Sequence, residues 1–128
     1  LTQKRMVDDG LLGRKSGKGY YDYSDDAVIP VPQTDEKYGK QIFNRILAML
    51  INEAADALHH SIASRDDIDT AMTTGVNYPK GLLKWADEIG VESVGSQLRE
   101  LQLNFNDDLY KPSPLLIKMA EENTTFYA

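Results

Sequence analysis

From about Glu36 onward, apolar residues recur every three or four positions. Tyr38, Ile42, Ile46, Met49, Leu50 and Ala54 repeat at that interval, the spacing of one helix face. The pattern predicts a long amphipathic helix ending near His60. Ser64-Arg65-Asp66-Asp67 has the form of a capping box. It starts a second helix with Ile68, Ala71 and Met72 facing inward and Gly75 at its end, and Pro79 blocks continuation. A short third helix covers Gly81 to Ile89 around Trp85 and is stopped by Gly90. A fourth runs from Val91 to Phe105 with Val94, Leu98 and Leu101 on one face. Ser113-Pro114 suits the N-cap and first turn of a last helix. Leu115, Leu116, Met119 and Ala120 form its apolar side, and Asn123 ends it.

The head of the chain has a different character. Leu1 to Gly10 reads as the last turns of a helix, with Leu1, Arg5 and Asp8 on one side and Gly10 as the stop. The glycines at 13, 17 and 19 prevent any helix, because each carries a large backbone-entropy cost. Tyr20 to Tyr23 reads as a short strand or strap, and Ser24 to Asp35, with Pro30 and Pro32, as an extended linker. One echo links the two ends. Arg5-Met6-Val7-Asp8-Asp9-Gly10 matches Lys118-Met119-Ala120-Glu121-Glu122-Asn123 position by position in chemical type. It suggests that the chain begins at the end of one copy of a domain and closes at the same point of a second.

Composition narrows the function classes. At 128 residues one compact domain is expected, with roughly two-thirds of the unfolded surface buried. There is no cysteine, hence no disulfide framework and no thiolate site. The net charge of -6 argues against a nucleic-acid partner, since phosphate affinity comes from clustered Lys and Arg. The charge is uneven: residues 1–24 carry a net of +2, which leaves -8 for the remainder. No apolar run approaches the ~20 residues that span a bilayer, and no signal peptide is visible. A soluble, cytoplasmic protein with no membrane partner is the expectation.

Several patterns invite chemistry and fail to carry it. Gly17-Lys18 resembles part of a phosphate loop, but Leu12 stands where a glycine is needed and Gly19 where a Ser or Thr is needed. Backbone N–H groups of this loop, with Lys15 and Lys18, are candidates for contact with a ligand phosphate. Gly13, Gly17 and Gly19 do not make a dinucleotide fingerprint and have no βαβ unit around them. His59 and His60 point about 100° apart on a helix, so they do not converge on a metal. Asp66, Asp67 and Asp69 lack the glycine and the terminal acidic ligand of a calcium loop. No metal site is expected. Asn44 and Asn52 are polar groups within an apolar pattern, so each needs a helix-end or a ligand partner, or exposure.

The chain also resembles a known family. Phe43-Asn44-Arg45-Ile46, Asn52-Glu53-Ala54, Ile62 through Met72, Gly75-Val76-Asn77-Tyr78-Pro79-Lys80-Gly81 and Trp85 through Gly90 stand in the order and spacing of the 3-hydroxyacyl-CoA dehydrogenase C-terminal domain. The segment from Gly10 to Tyr23 looks like the closing segment of that same domain. The resemblance implies NAD-dependent oxidation of a 3-hydroxyacyl-CoA to the 3-oxoacyl-CoA. In the family a Rossmann domain supplies the cofactor site and a His–Glu pair, with the His as general base. Neither of those residues maps onto this chain. The family's helical domain closes over the cleft and contributes an Asn to the substrate side, and Asn44 matches that position.

These readings combine into one expectation. The fold is an all-α bundle of about five helices, of the 6-phosphogluconate dehydrogenase C-terminal-like type, over residues 36–128. Residues 1–35 are the tail of a preceding domain plus a proline-containing linker. The chain is a C-terminal fragment of the dehydrogenase, the second of two tandem helical copies. It is inactive alone, with no catalytic residue and no cofactor site of its own, NAD being held by the parent. Its partners are the Rossmann domain, the first helical copy and the parent's acyl-CoA substrate, and isolated copies form a homodimer. The competing reading is a free-standing helical module that binds acyl-CoA or a protein.

Overall fold

The computed structural model describes residues 2–127, so the reading of Leu1 as part of the first helix face, and Ala128 at the end of the helical block, lie outside the described residues. The chain divides into two compact units, one up to Asp35 and one from Glu36 on. Among the described residues the regular structure is helical, with only isolated bridges pairing Lys18 with Gly13 and Asp22. The chain is therefore all-α.

In the first unit, α1 covers Thr2–Asp8 and has no buried residue. Gly10 takes φ 73°, a left-handed conformation that suits glycine at a helix end. The expected strand at Tyr20 to Tyr23 is instead a bridged loop: Gly13 N–H donates to the Lys18 carbonyl at 3.0 Å and Tyr23 N–H to the Gly17 carbonyl at 2.9 Å. Gly19 is required there, because a Cβ on it would stand 2.7 Å from Gly13 Cα. From Ala27 to Asp35 there is no regular structure, and Val28, Ile29 and Val31 are exposed.

The second unit is built around α2 (Glu36–His59), which packs against α3 (Arg65–Thr70), α4 (Leu82–Ile89), α5 (Val91–Phe105) and α6 (Pro114–Glu122). The face that α2 buries is Leu47, Ala48, Ile51, Asn52, Ala54 and Ala55. Tyr38, Ile42 and Ile46 are instead 60%, 45% and 52% exposed, so the N-terminal half of the expected core stripe points outward. Leu83, Leu98, Leu116 and Val94 complete the core from the other helices.

The caps explain the helix limits. Ser64 Oγ accepts from Asp67 N–H at 3.2 Å, which starts α3. A π-helical turn at Ala71–Gly75 follows α3 directly, with Ala71 exposed rather than inward. Gly90 at φ 90° separates α4 from α5. Asp108–Tyr110 forms a short 3-10 turn before α6. Asn123, at φ 51°, ends α6 in the left-handed region that Asn tolerates.

The two ends of the chain share more than sequence. At α1, Gly10 N–H bonds the Val7 carbonyl and Leu11 N–H the Met6 carbonyl, at 3.0 and 2.8 Å. At α6, Asn123 N–H bonds the Ala120 carbonyl and Thr124 N–H the Met119 carbonyl, at 3.4 and 3.0 Å. These are the paired bonds of one helix-ending motif, in the register of the sequence echo.

Candidate functional site

Asn44 is half-buried in a cleft of about 530 Å³ between α2 and α5. Gln41 and Asn44 on α2 and Gln97 and Asn104 on α5 bring four carboxamides to this cleft, among Ile42, Leu101 and Phe105. Arg45 anchors one end. Its guanidinium lies 4.3 Å from the Phe105 ring centroid and 5.0 Å from that of Tyr110, and it donates to the Tyr110 hydroxyl. A carboxamide both donates and accepts, so this lining can hold and orient a polar ligand. Asp22 and Tyr127 titrate away from their ordinary values, and neither lines the cleft.

Beside the cleft, α2 turns an apolar surface outward. Phe43, 50% exposed, meets Trp85 of α4 with ring centroids 5.9 Å apart. With Ile46, Leu50, Tyr78 and Pro79 they wall a depression of about 270 Å³. Phe43 and Ile46 are among the residues that carried the family resemblance, but their outward direction was not legible from spacing.

Three buried or half-buried polar side chains hold these helices in place. Asn52 donates to the Lys111 carbonyl at 3.0 Å and accepts from Ser113 N–H at 2.7 Å, so it fixes the entry to α6. Of the two partners expected for it, a helix-end contact is the one observed. Asp69 accepts from Leu83 and Lys84 N–H at 2.9 and 3.0 Å, which caps α4 from another helix. Asp87 accepts from Phe126 and Tyr127 N–H, both at 2.8 Å, and so ties down the C-terminal segment. Asp69 and Asp87 were missed from the sequence. Asp69 sits one position before Thr70 in an acidic run, and nothing in that run marks it as the buried member.

Lys15 and Lys18 lie in the first unit, apart in the chain from Asn44, and both are exposed. The loop spends several donors on itself: the N–H groups of Leu12, Gly13, Ser16 and Gly19 bond Ser16 Oγ and the carbonyls of Lys18, Gly13 and Tyr21. Those N–H groups are not available to an anion, so phosphate contact here would rest chiefly on the two lysines. Lys18 is also drawn to Asp22. The Ser24 backbone N–H, then the Ser24 hydroxyl and the Lys18 charge, hold the Asp22 carboxyl below the usual range. The glycine loop follows a helix rather than a strand. With no parallel sheet among the described residues, nothing there fits a dinucleotide in the Rossmann manner. No cluster of three or more His, Asp or Glu able to hold a metal occurs among the described residues, and none of their helices is long and apolar enough to cross a membrane.

The model of the 3-hydroxyacyl-CoA dehydrogenase C-terminal domain matches residues 42–125, which include Asn44. The chain is 43% identical over 83 residues to the 3-hydroxyadipyl-CoA dehydrogenase of Escherichia coli K12, covering 65% of this chain and 18% of that protein. It is 40% identical over 82 residues to a 3-hydroxybutyryl-CoA dehydrogenase of Clostridioides difficile, covering 64% of this chain and 29% of the relative. The crystal structure of 3-hydroxybutyryl-CoA dehydrogenase from Escherichia coli K12 matches 95% of this chain and 44% of its own, with a TM-score of 0.70 and 25% identity. The chain thus spans less than half the length of the relatives it matches.

Proposed function

The chain belongs to the 3-hydroxyacyl-CoA dehydrogenase C-terminal domain family, and from that premise we propose that it serves a larger NAD-dependent dehydrogenase as its helical packing and closing part. The reaction is oxidation of a 3-hydroxyacyl-CoA to the 3-oxoacyl-CoA. The nicotinamide chemistry belongs to a neighbouring Rossmann domain in this reading. Residues 36–128 pack on that domain and on a first helical copy, and residues 1–35 are the tail of that copy plus a linker. The matched helix-ending bonds at Met6–Leu11 and Met119–Thr124 support the tandem arrangement. Asn44 contributes to the substrate side, and Lys15 and Lys18 contact the CoA phosphates.

The observation that carries the packing role is the outward apolar surface of Ile42, Phe43 and Ile46 beside Trp85. A contiguous apolar patch rimmed by polar groups marks an association surface. Left without its neighbour, this surface pairs with a second copy, giving a two-fold homodimer. Sedimentation velocity tests this. Dimer at high concentration, converted to monomer by Phe43→Asp, is expected, and a monomer at every concentration would count against the packing role.

A further inference from the structure

We infer that Tyr20 and Tyr21 form a docking strap, and that the strap fits the clasp of a second helical domain built like residues 36–128. The pattern for this contact lies inside the chain. Behind α6, Phe126 and Tyr127 give their N–H groups to Asp87, each at 2.8 Å. Arg65 donates to the Phe126 carbonyl at 2.5 Å, and its guanidinium lies 4.1 Å from the Tyr127 ring centroid. Arg65 and Asp87 thus clasp the two aromatic residues, and Phe126 is buried in the core.

A matching pair stands behind α1 without a clasp. α1 and α6 end on the same two backbone bonds. Thr124-Thr125 then lead straight to Phe126-Tyr127, whereas Leu11-Leu12 lead into the loop 13–19. That loop closes on itself: Gly13 N–H bonds the Lys18 carbonyl, and a Cβ on Gly19 would stand 2.7 Å from Gly13 Cα. Its entry and exit coincide, so Tyr20-Tyr21 leave it in the register of Phe126-Tyr127. Tyr20 and Tyr21 are nevertheless exposed, and no described residue accepts their N–H groups. Met6 and Tyr20 line one open depression of about 600 Å³, while their counterparts Met119 and Phe126 share the core. An exposed apolar face of this kind marks an association surface. Charge favours a partner of the same architecture: residues 1–24 carry a net of +2, and residues 36–128 a net of -5. The chain's own clasp is filled, so a second domain supplies the acceptor carboxylate. The inference rests on the tandem reading only for where in the parent protein that domain lies.

The test moves the loop within the full chain. A second copy of residues 13–19 is inserted between Thr125 and Phe126, together with Phe126→Tyr, so that the loop and its strap stand before Asp87. Hydrogen exchange of the two strap amides is read by NMR. Their exchange should stay within about threefold of that of Phe126 and Tyr127 in the parent. Asp87→Asn in the same background should speed it by about tenfold or more. Phe126→Tyr alone controls for the added hydroxyl. Protection that is lost on insertion but kept in Phe126→Tyr, or that is indifferent to Asp87→Asn, would overturn the proposal. A peptide of residues 10–24 provides a second arm, which decides if the inserted chain does not fold. It is titrated into the full chain carrying Phe126→Ala and Tyr127→Ala, with Tyr20→Ala and Tyr21→Ala to remove the chain's own strap. Saturable shifts of the Arg65 and Asp87 amides are expected, with a Kd roughly in the millimolar range. No saturable shift, or equal shifts from a peptide with both tyrosines replaced by alanine, would overturn it. Both arms read the fit on this chain's own clasp, so their outcome is separate from whether a first copy precedes it in the parent.

Discussion

The carboxylate of Asp69 occupies the space that a side chain on Gly81 would fill: a Cβ built on Gly81 overlaps its carboxyl group. Asp69 can cap α4 from α3 only because position 81 has no side chain. Gly81→Ala should therefore both crowd the site and disturb the cap, destabilising the chain by roughly 2–4 kcal/mol. Asp69→Ala should cost about 2 kcal/mol by exposing the two N–H groups to no partner. The double variant should cost less than the sum, because both changes act on one contact. Urea denaturation of the three variants measures this, and simple additivity would show that the two positions act independently.

Asn52 predicts a second stability effect. It is 4% exposed and its amide satisfies the Lys111 carbonyl and the Ser113 N–H. Asn52→Leu removes both bonds and should destabilise by on the order of 2–3 kcal/mol, with early loss of α6 in hydrogen exchange. A variant as stable as the parent would mean that water replaces the amide without cost.

How far the sequence revealed this architecture depends on the kind of signal. Helix ends marked by Ser64, Gly90, Pro114 and Asn123 were legible, since each carries local backbone chemistry. The buried face of α2 was not. This helix has apolar residues on two sides, and periodicity alone does not say which side meets the core and which meets solvent; Ile42 and Ile46 fit the apolar stripe and are exposed. Asp69 and Asp87 act on N–H groups 14 to 40 positions away in the chain. No local pattern encodes such a pairing. Asn44 stood out as a polar group in an apolar pattern, but a role for it came only from resemblance, and the carboxamides of Gln97 and Asn104 that share its cleft depend on how α5 crosses α2.

Tyr127 predicts the alkaline behaviour. Its hydroxyl donates to Asp69 at 3.0 Å, and its ring lies 4.1 Å from the Arg65 guanidinium. Burial first, then the hydrogen bond to Asp69 and the nearby carboxylates, push its pKa up from 10.0 to about 12. The folded chain thus holds this proton more tightly than the unfolded chain. The contribution is present in full below about pH 10 and is lost as the pH rises toward about 12. The urea midpoint of the parent should fall more steeply over that window than that of Tyr127→Phe. Parallel curves would contradict the assignment.

Ser61 offers a stabilising change. It ends α2 at φ 55°, with its N–H bonded to the Leu58 carbonyl at 3.0 Å. A left-handed non-glycine residue carries about 1–2 kcal/mol of strain, part of which glycine's unfolded-state entropy cancels. Ser61→Gly should raise stability by roughly 0.5–1 kcal/mol, seen as a higher melting temperature. A lower one would show that the serine side chain contributes more than the strain costs.

In the proposed assembly hydride transfer is the work of a neighbouring domain and not of these helices. The direct measurement is NADH formation when the purified chain is given NAD and 3-hydroxybutyryl-CoA. No formation above the protein-free rate is predicted, and steady turnover that follows the amount of this chain would contradict it.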